Sequence, residues 1–255
     1  MRIQRTTGLN QMPFDQLVAL VGERIEWNAA TGRPRELTLA QAVKATLIYF
    51  KNNITEDVIA ELMFVDQSTI SRAIADIEVL LAEILAEWVS DLDEATRGTT
   101  TVIDGSLLPC WSWKAKPELY SGKHHTTGHN HQFVVTLGGR LAHISDPLPG
   151  SFHDTTAARE SKILEILDPS NMFGDKGYVG TGIITPFKKP PGGELLDWQK
   201  EFNTQVNKRR YVVERAIANF KIWRVLHTDY RRPHSTYQTA FNAIRGLYFY
   251  SRSFA

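Results

Sequence analysis

The pattern of apolar residues changes character at residues 96–99 of this 255-residue chain, and no single-class fold accommodates both sides of the change. Upstream, apolar residues recur at helical spacing. Phe14, Leu17, Val18, Val21 and Ile25 mark one stretch, residues 39–50 a second with Thr38 as its cap, and residues 80–95 another. Thr31, Gly32, Arg33, Pro34 and Arg35 interrupt the first two. Downstream, β-branched and alternating runs take over: TTTVI at 99–103 leading into Asp104, QFVVTL at 132–137, and RLAHI at 140–144 after Gly138 and Gly139, a hairpin signal. A helix over 154–167, a strand leading to Asp175 and a helix over 207–226 follow. The expectation is an all-α domain over residues 1–97, then a mixed α/β domain over 98–255 with an exposed PFKKPPGG loop at 186–193.

Hydrophobic content of 42% and charged content of 22% are those of an ordinary soluble protein. No apolar stretch is long enough to span a bilayer, and the opening MRIQRTTGLN lacks the apolar core of a signal peptide, so a cytoplasmic protein is expected. Cys110 is the only cysteine, which excludes an internal disulfide or a paired thiolate site and reads as a small buried residue. The formal charge of +1 conceals an asymmetry: residues 1–100 hold 9 Lys+Arg against 15 Asp+Glu, and residues 101–255 hold 20 against 13. A basic half around acidic residues suits a polyanion handled with a metal ion.

Three carboxylates stand at transitions in that half. Asp104 closes a buried-strand run and precedes Gly105; Asp175 follows Met172, Phe173 and Gly174 and precedes Lys176, Gly177 and Tyr178. Both read as strand-end residues. Glu214 lies in NKRRYVVERAIANFKIWRVL at 207–226, which has no Gly or Pro and carries Val213, Ile217, Phe220 and Trp223 at helical spacing. At about 100° per residue, Arg210, Glu214 and Lys221 fall within roughly 60° of one another, a carboxylate between two cations. Singly, an Asp before Gly is a turn residue and a Glu between cations is a solvated ion-pair row. Carboxylates gathered by a fold hold divalent metal for phosphoryl transfer.

In the first half, Thr55, Glu56 and Asp57 open a short helix to about residue 62. Met63, Phe64 and Val65 turn, and Asp66 opens a longer helix reaching into the 80s. Over about 55–83 this reads as a helix-turn-helix, with Gln67, Ser68, Thr69 and Arg72 presented to base edges and phosphates of DNA. The alternative is a plain helical hairpin, which the acidity of Asp76, Glu78, Glu83, Glu87, Asp91, Asp93 and Glu94 favours.

The His-rich GKHHTTGHNHQ at 122–132 lacks zinc-ligand spacing and reads as a basic loop in which Lys123 meets phosphates. Asp154, after His153, reads either as a helix N-cap or as an accessory to the carboxylates. Trp111 and Trp113 read as an aromatic hairpin on the sheet, with base stacking the alternative. Arg231, Arg232, Lys188 and Lys189 read as phosphate contacts or solvated charge.

Five stretches, VIDGS at 102–106, YSGK at 120–123, PGSFHD at 149–154, GDKGY at 174–178 and Arg210-x3-Glu214-x6-Lys221, resemble in order those of the IS5-type transposases of bacterial insertion sequences, related to the eukaryotic Harbinger group. They span nearly all of residues 100–226. That family's signature begins with a tyrosine where this chain has Asn207. The resemblance implies an RNase H-like catalytic domain behind a helix-turn-helix domain, with Asp104, Asp175 and Glu214 as a catalytic triad holding two Mg²⁺ or Mn²⁺ ions. It further implies phosphate contacts from Arg210 and Lys221, terminal inverted repeats and target DNA as partners, and at least a homodimer on DNA. A transposase-derived DNA-binding protein that does not cut, and a nuclease that cuts without joining, are the alternatives.

Overall fold

The structure, a computed structural model, describes residues 3–28, 34–111 and 115–254. In chain order, helices α1 (Ile3–Thr7), α2 (Gln11–Gly22), α3 (Leu39–Asn52), α4 (Glu56–Met63), α5 (Gln67–Ile84) and α6 (Leu92–Thr96) precede strands β1 (Thr101–Pro109), β2 (Tyr120–Ser121), β3 (Thr126–Thr136), β4 (Leu141–Ile144) and β5 (Leu148–Pro149). Helices α7 (Asp154–Glu160) and α8 (Ile163–Ile166), strand β6 (Met172–Phe173) and helices α9 (Asp197–Phe220) and α10 (Tyr237–Arg252) follow. Two compact units result: Met1–Val89 with Ile222–Ala255, and Ser90–Lys221.

In the helical unit, α3 begins at a reciprocal cap. The Thr38 hydroxyl accepts from the Gln41 N–H, and the Gln41 side chain accepts from the Thr38 N–H, an arrangement contributing about 1 kcal/mol. Helices α4 and α5 are joined by Phe64, Val65 and Asp66, with Phe64 in the left-handed region at φ 58°. The helix expected over 80–95 is divided. Helix α5 ends at Ile84, a 3₁₀ turn covers Leu85–Trp88, and α6 restarts where the Asp91 side chain accepts from the N–H groups of Asp93 and Glu94. Helix α10 packs on α5 and the 3₁₀ turn, so closely that a Cβ on Gly246 would stand 2.5 Å from the Cβ of Leu85. Only glycine permits that approach. The break expected at residues 31–35 falls in part on residues outside those described, as do Ser112, Trp113 and Lys114.

The C-terminal segment, placed with the second domain by its position in the sequence, is fastened to these helices. Asn53, in the left-handed cap of α3, donates to the carbonyl and hydroxyl oxygens of Thr228, and Arg231 donates to the carbonyl and side-chain oxygens of Asn53. Arg232 donates to the buried carboxylate of Glu78 on α5. Arg231 and Arg232 are thus structural groups, and Glu78 is no solvated repeller of phosphate. The charge asymmetry read along the sequence disappears with this grouping. The helical unit holds 13 Lys+Arg and 13 Asp+Glu, and the other unit 16 and 15.

The second unit is a mixed sheet. β1 lies between antiparallel β3 and parallel β6, with Thr101 opposite both Thr136 and Met172; β2, β4 and β5 also pair with β3. β1 does not end at Asp104 as expected; it continues to Pro109, paired with β3 throughout, so Asp104 is a mid-strand residue opposite Phe133. One side of the sheet packs Ile103, Val134 and Met172 against Ala158 and Ile163 of α7 and α8, and the other packs Phe133 against Phe220 of α9. The helix expected over 154–167 is two short helices separated by Lys162 at φ 59°. Helix α9 starts ten residues earlier than expected and ends at Phe220, so Lys221 is its cap and Trp223 lies beyond it. No helix among the described residues is long and apolar enough to cross a membrane.

Candidate active site

Alternation along β1 sends Asp104 toward the face covered by α9, where its carboxylate meets Arg210 at 3.8 Å. Its other oxygen accepts from the Gly105 N–H at 2.9 Å. Asp175 follows β6, the parallel neighbour of β1, and caps a 3₁₀ turn by accepting from the Gly177 N–H at 2.7 Å. The parallel pairing therefore carries the two aspartates out on adjacent strands. Burial pushes the Asp104 carboxyl up to about 6; Arg210 opposes, Asp175 and Asp154 reinforce, and the Gly105 N–H opposes.

Asp154, at the start of α7, comes in from the opposite side of β1. A Cβ on Gly105 would lie 2.9 Å from its Oδ1, and one on Gly177 would lie 2.3 Å from its Oδ2 and 2.8 Å from Asp175 Oδ1. Glycines at 105 and 177 thus make the room in which this carboxylate stands. Lys123, in the turn after β2, ion-pairs with Asp154 at 3.2 Å. Burial works to lower the Lys123 ammonium, but Asp154, Asp175 and Asp104 outweigh it and hold it above its ordinary value.

Helix α9 places Arg210, Glu214 and Lys221 along one stripe, with Val213, Ile217 and Phe220 buried beside it. Arg210 is mostly buried, and its Nε has no hydrogen-bond partner. Burial lowers Lys221, with Asp104 opposing. Glu214 is exposed, one turn along from Arg210. Because Asp104 and Asp154 approach from opposite sides of a strand and Glu214 is turned to solvent, no group of three or more metal-ligating side chains converges among the described residues. A hard divalent cation nonetheless suits what is gathered here: oxygen donors, and carboxylates whose negative charge already pairs with Arg210 and Lys123.

Beneath these groups runs a buried hydrogen-bond chain that sequence reading missed. Tyr178 donates to Gln132 at 2.7 Å, Gln132 to Asn130 at 2.9 Å, and Asn130 to the Phe152 carbonyl at 3.2 Å. It ties the turn that carries Asp175 to the turn that carries Asp154. The stretch read as a His-rich loop is largely β3 itself, with His129 and His131 buried within it. Two polar residues two apart, Asn130 and Gln132, were the available signal, since that spacing puts both on one face of a strand.

At the start of α5, Gln67 donates to the Glu56 carboxylate at 2.5 Å, Thr69 to Glu36 at 3.4 Å, and Arg72 Nε to the Ser68 carbonyl at 3.1 Å. Ser68 and Arg72 are exposed. Of the other singled-out residues, Cys110 is buried and Trp111 exposed, so Trp111 does not pack on the sheet as expected; Lys189 pairs with Glu194 at 2.6 Å.

Residues 103–248 match the family model described as DDE superfamily endonuclease. Over 222 residues the chain is 27% identical to a protein of Streptomyces albus G named as a transposase for insertion sequence element IS112, covering 86% of this chain and 83% of that one. Over 264 residues it is 25% identical to a protein of Microchaete diplosiphon named as a transposase for insertion sequence element IS702, covering 98% and 94%. No solved structure matches the chain.

Proposed function

The chain belongs to the DDE superfamily of endonucleases, and we propose that it is a DNA transposase of the IS5 type, within reach of the Harbinger group, that cuts at the ends of an insertion sequence and joins them to target DNA. The observation that carries the reading is the delivery of Asp104 and Asp175 on adjacent parallel strands beneath the cationic stripe of α9. On this reading the second unit is RNase H-like, and the sequence-based boundary at residue 97 marks where the catalytic region begins. Asp104, Asp175 and Glu214 would hold Mg²⁺ or Mn²⁺, two ions in all, which supply Lewis-acid activation of water and stabilise the leaving 3′-oxygen.

The chain's own groups do the rest. Arg210 and Lys221 exchange their present neighbours for phosphate oxygens flanking the scissile bond, and the unpartnered Nε of Arg210 gives it a donor to offer. Water attack breaks the phosphodiester and frees a 3′-hydroxyl; attack of that hydroxyl on a target phosphodiester forms the new strand junction and releases a target 3′-hydroxyl. Both steps are displacements at phosphorus, so one site serves both. The test is nicking and joining of DNA bearing the element's ends. Wild-type protein should do both with Mg²⁺ and neither with EDTA, and Glu214→Gln should be slower by about 100-fold or more. Nicking without joining would make the protein a nuclease, and binding without metal-dependent nicking a DNA-binding derivative.

Terminal-repeat recognition is assigned to α4 and α5, with Gln67, Ser68, Thr69 and Arg72 facing the DNA and a homodimer or larger assembly bringing two ends together. Carboxylates of Glu56 and Glu36 already engage Gln67 and Thr69, so the base-reading load falls on Arg72. Arg72→Ala should weaken binding to the element's end about tenfold or more while leaving binding to unrelated DNA unchanged, because a bidentate arginine contact contributes about 1–3 kcal/mol of discrimination. Equal losses on both DNAs in a mobility-shift titration would return α5 to a structural role.

A further inference from the structure

A cavity of about 560 Å³ opens on the α7 side of β1, and it shares Asp154 and Lys123 with the carboxylate cluster. Resting on the reading above, we infer that this cavity is a nucleotide site: it takes one nucleotide extruded from the duplex next to the scissile phosphate. Size is the first argument. The cavity lies within the range of small-molecule sites, enough for a single nucleotide and far too small for a duplex. A strand that reaches it must leave its partner.

Lining chemistry is the second argument. Leu107 and Phe152 give apolar surface for a base, and Lys123 and His124 border it where a phosphate would enter. Burial together with the charges of Lys123 and Lys221 holds His124 toward its neutral form, so the ring can donate or accept without adding charge. Asn130 reads the base edge. It is 8% exposed and its side-chain oxygen accepts from Gln132, while one amide N–H goes to the Phe152 carbonyl, leaving the second N–H to donate.

Rigidity is the third. The Tyr178–Gln132–Asn130 chain is buried and continuous, and Gly150 is locked in place, since a Cβ there would lie 2.3 Å from the carbonyl oxygens of Gly128 and Leu119. The wall therefore exists before DNA arrives, and the cost of the site is the unpairing of one base, a few kcal/mol. A target that is already mispaired avoids most of that cost.

The geometry also supplies the variant. Gly122 lines the cavity and a Cβ there meets nothing within 4 Å, so Gly122→Trp adds a large side chain at the cavity's edge without a backbone clash. The experiment places a mismatch at each position flanking the scissile phosphate and measures binding with Ca²⁺ in place of Mg²⁺. For wild type, one position should tighten binding about tenfold and the others should not, the expected gain from relieving unpairing. Gly122→Trp should lose that preference and nick matched ends at least about tenfold more slowly, with an unchanged melting temperature, and Gly122→Ala should retain both properties. A flat mismatch profile from a wild-type protein that nicks the same DNA overturns the nucleotide site and leaves the transposase reading intact, as does a Gly122→Trp variant that keeps the preference. A wild type that neither binds nor nicks the ends takes both readings down.

Discussion

Asp175→Asn should lower nicking of the element's ends by about 10³-fold or more while binding them with wild-type affinity. The expectation rests on charge rather than shape. Asp175 accepts a 2.7 Å hydrogen bond from the Gly177 N–H, and the side-chain oxygen of asparagine can accept the same bond, so the 3₁₀ turn and the Tyr178 hydroxyl behind it stay in place. What is lost is one unit of negative charge where a cation must be held, and a loss of several kcal/mol in transition-state stabilisation corresponds to three or more orders of magnitude in rate. Asp175 is a cleaner choice than Asp104, whose neutralisation would also strip Arg210 of its partner. Single-turnover nicking, a mobility-shift titration and a melting curve together check the three parts of this statement. Nicking at the wild-type rate would remove Asp175 from the catalytic set.

Much of the local structure could be read from the chain because it is encoded locally. Thr38 caps α3 through Gln41 three residues on, and the three-residue link between α4 and α5 falls where the apolar pattern breaks. The failures are tertiary. Gly105 looks like the end of a strand, yet β1 runs four residues past it because β3 continues to pair with it. Residues 126–132 have too few apolar side chains to signal a strand, and they form one because their polar groups find partners inside, as Gln132 does with Tyr178 and Asn130. Helix α9 begins ten residues before its apolar spacing becomes regular, and its first turns rest on the Phe187 loop, through Asn203 and the ring contacts of Trp198 and Phe202.

The site divides in the same way. Asp104 and Asp175 were visible as acidic residues following apolar runs, and sheet order puts them side by side. Asp154 was left open between a capping and an accessory role; the N-cap of α7 is His153, with Asp154 its first helical residue, and the room for the Asp154 carboxylate is made by Gly105 and Gly177, far apart in sequence. The basic character of residues 101–255 holds along the sequence but not within the compact units. Five arginines of the C-terminal segment belong with the acidic helices, a grouping that no local pattern announces.

That grouping predicts the largest stability effect. Arg232→Met should destabilise the fold by about 3–5 kcal/mol at alkaline pH, where Glu78 is ionised and its carboxylate is left buried without its partner. In a protein of this size the melting temperature should fall by on the order of 10 °C. The pH dependence distinguishes this cause from lost packing. Burial pushes Glu78 up to about 7 in the folded protein, above its ordinary 4.5, with Arg232 opposing. The folded state therefore binds the proton more tightly than the unfolded chain, and stability through this group is complete below about pH 4.5 and declines as pH rises to about 7. Without Arg232 the folded carboxyl rises further and the decline continues to higher pH. The deficit of the variant should be small near about pH 5, grow by about 1.4 kcal/mol per pH unit above about 7, and reach its full size only at alkaline pH. Glu78→Met combined with Arg232→Met should recover most of the loss, since a buried ion pair replaced by apolar groups of similar volume is close to neutral. A deficit independent of pH, or a double variant as unstable as the single one, would mean that Arg232 contributes packing rather than charge. Because Glu78 lies on α5 and Arg232 in the segment leading to α10, the same variant should also loosen the unit that presents Arg72.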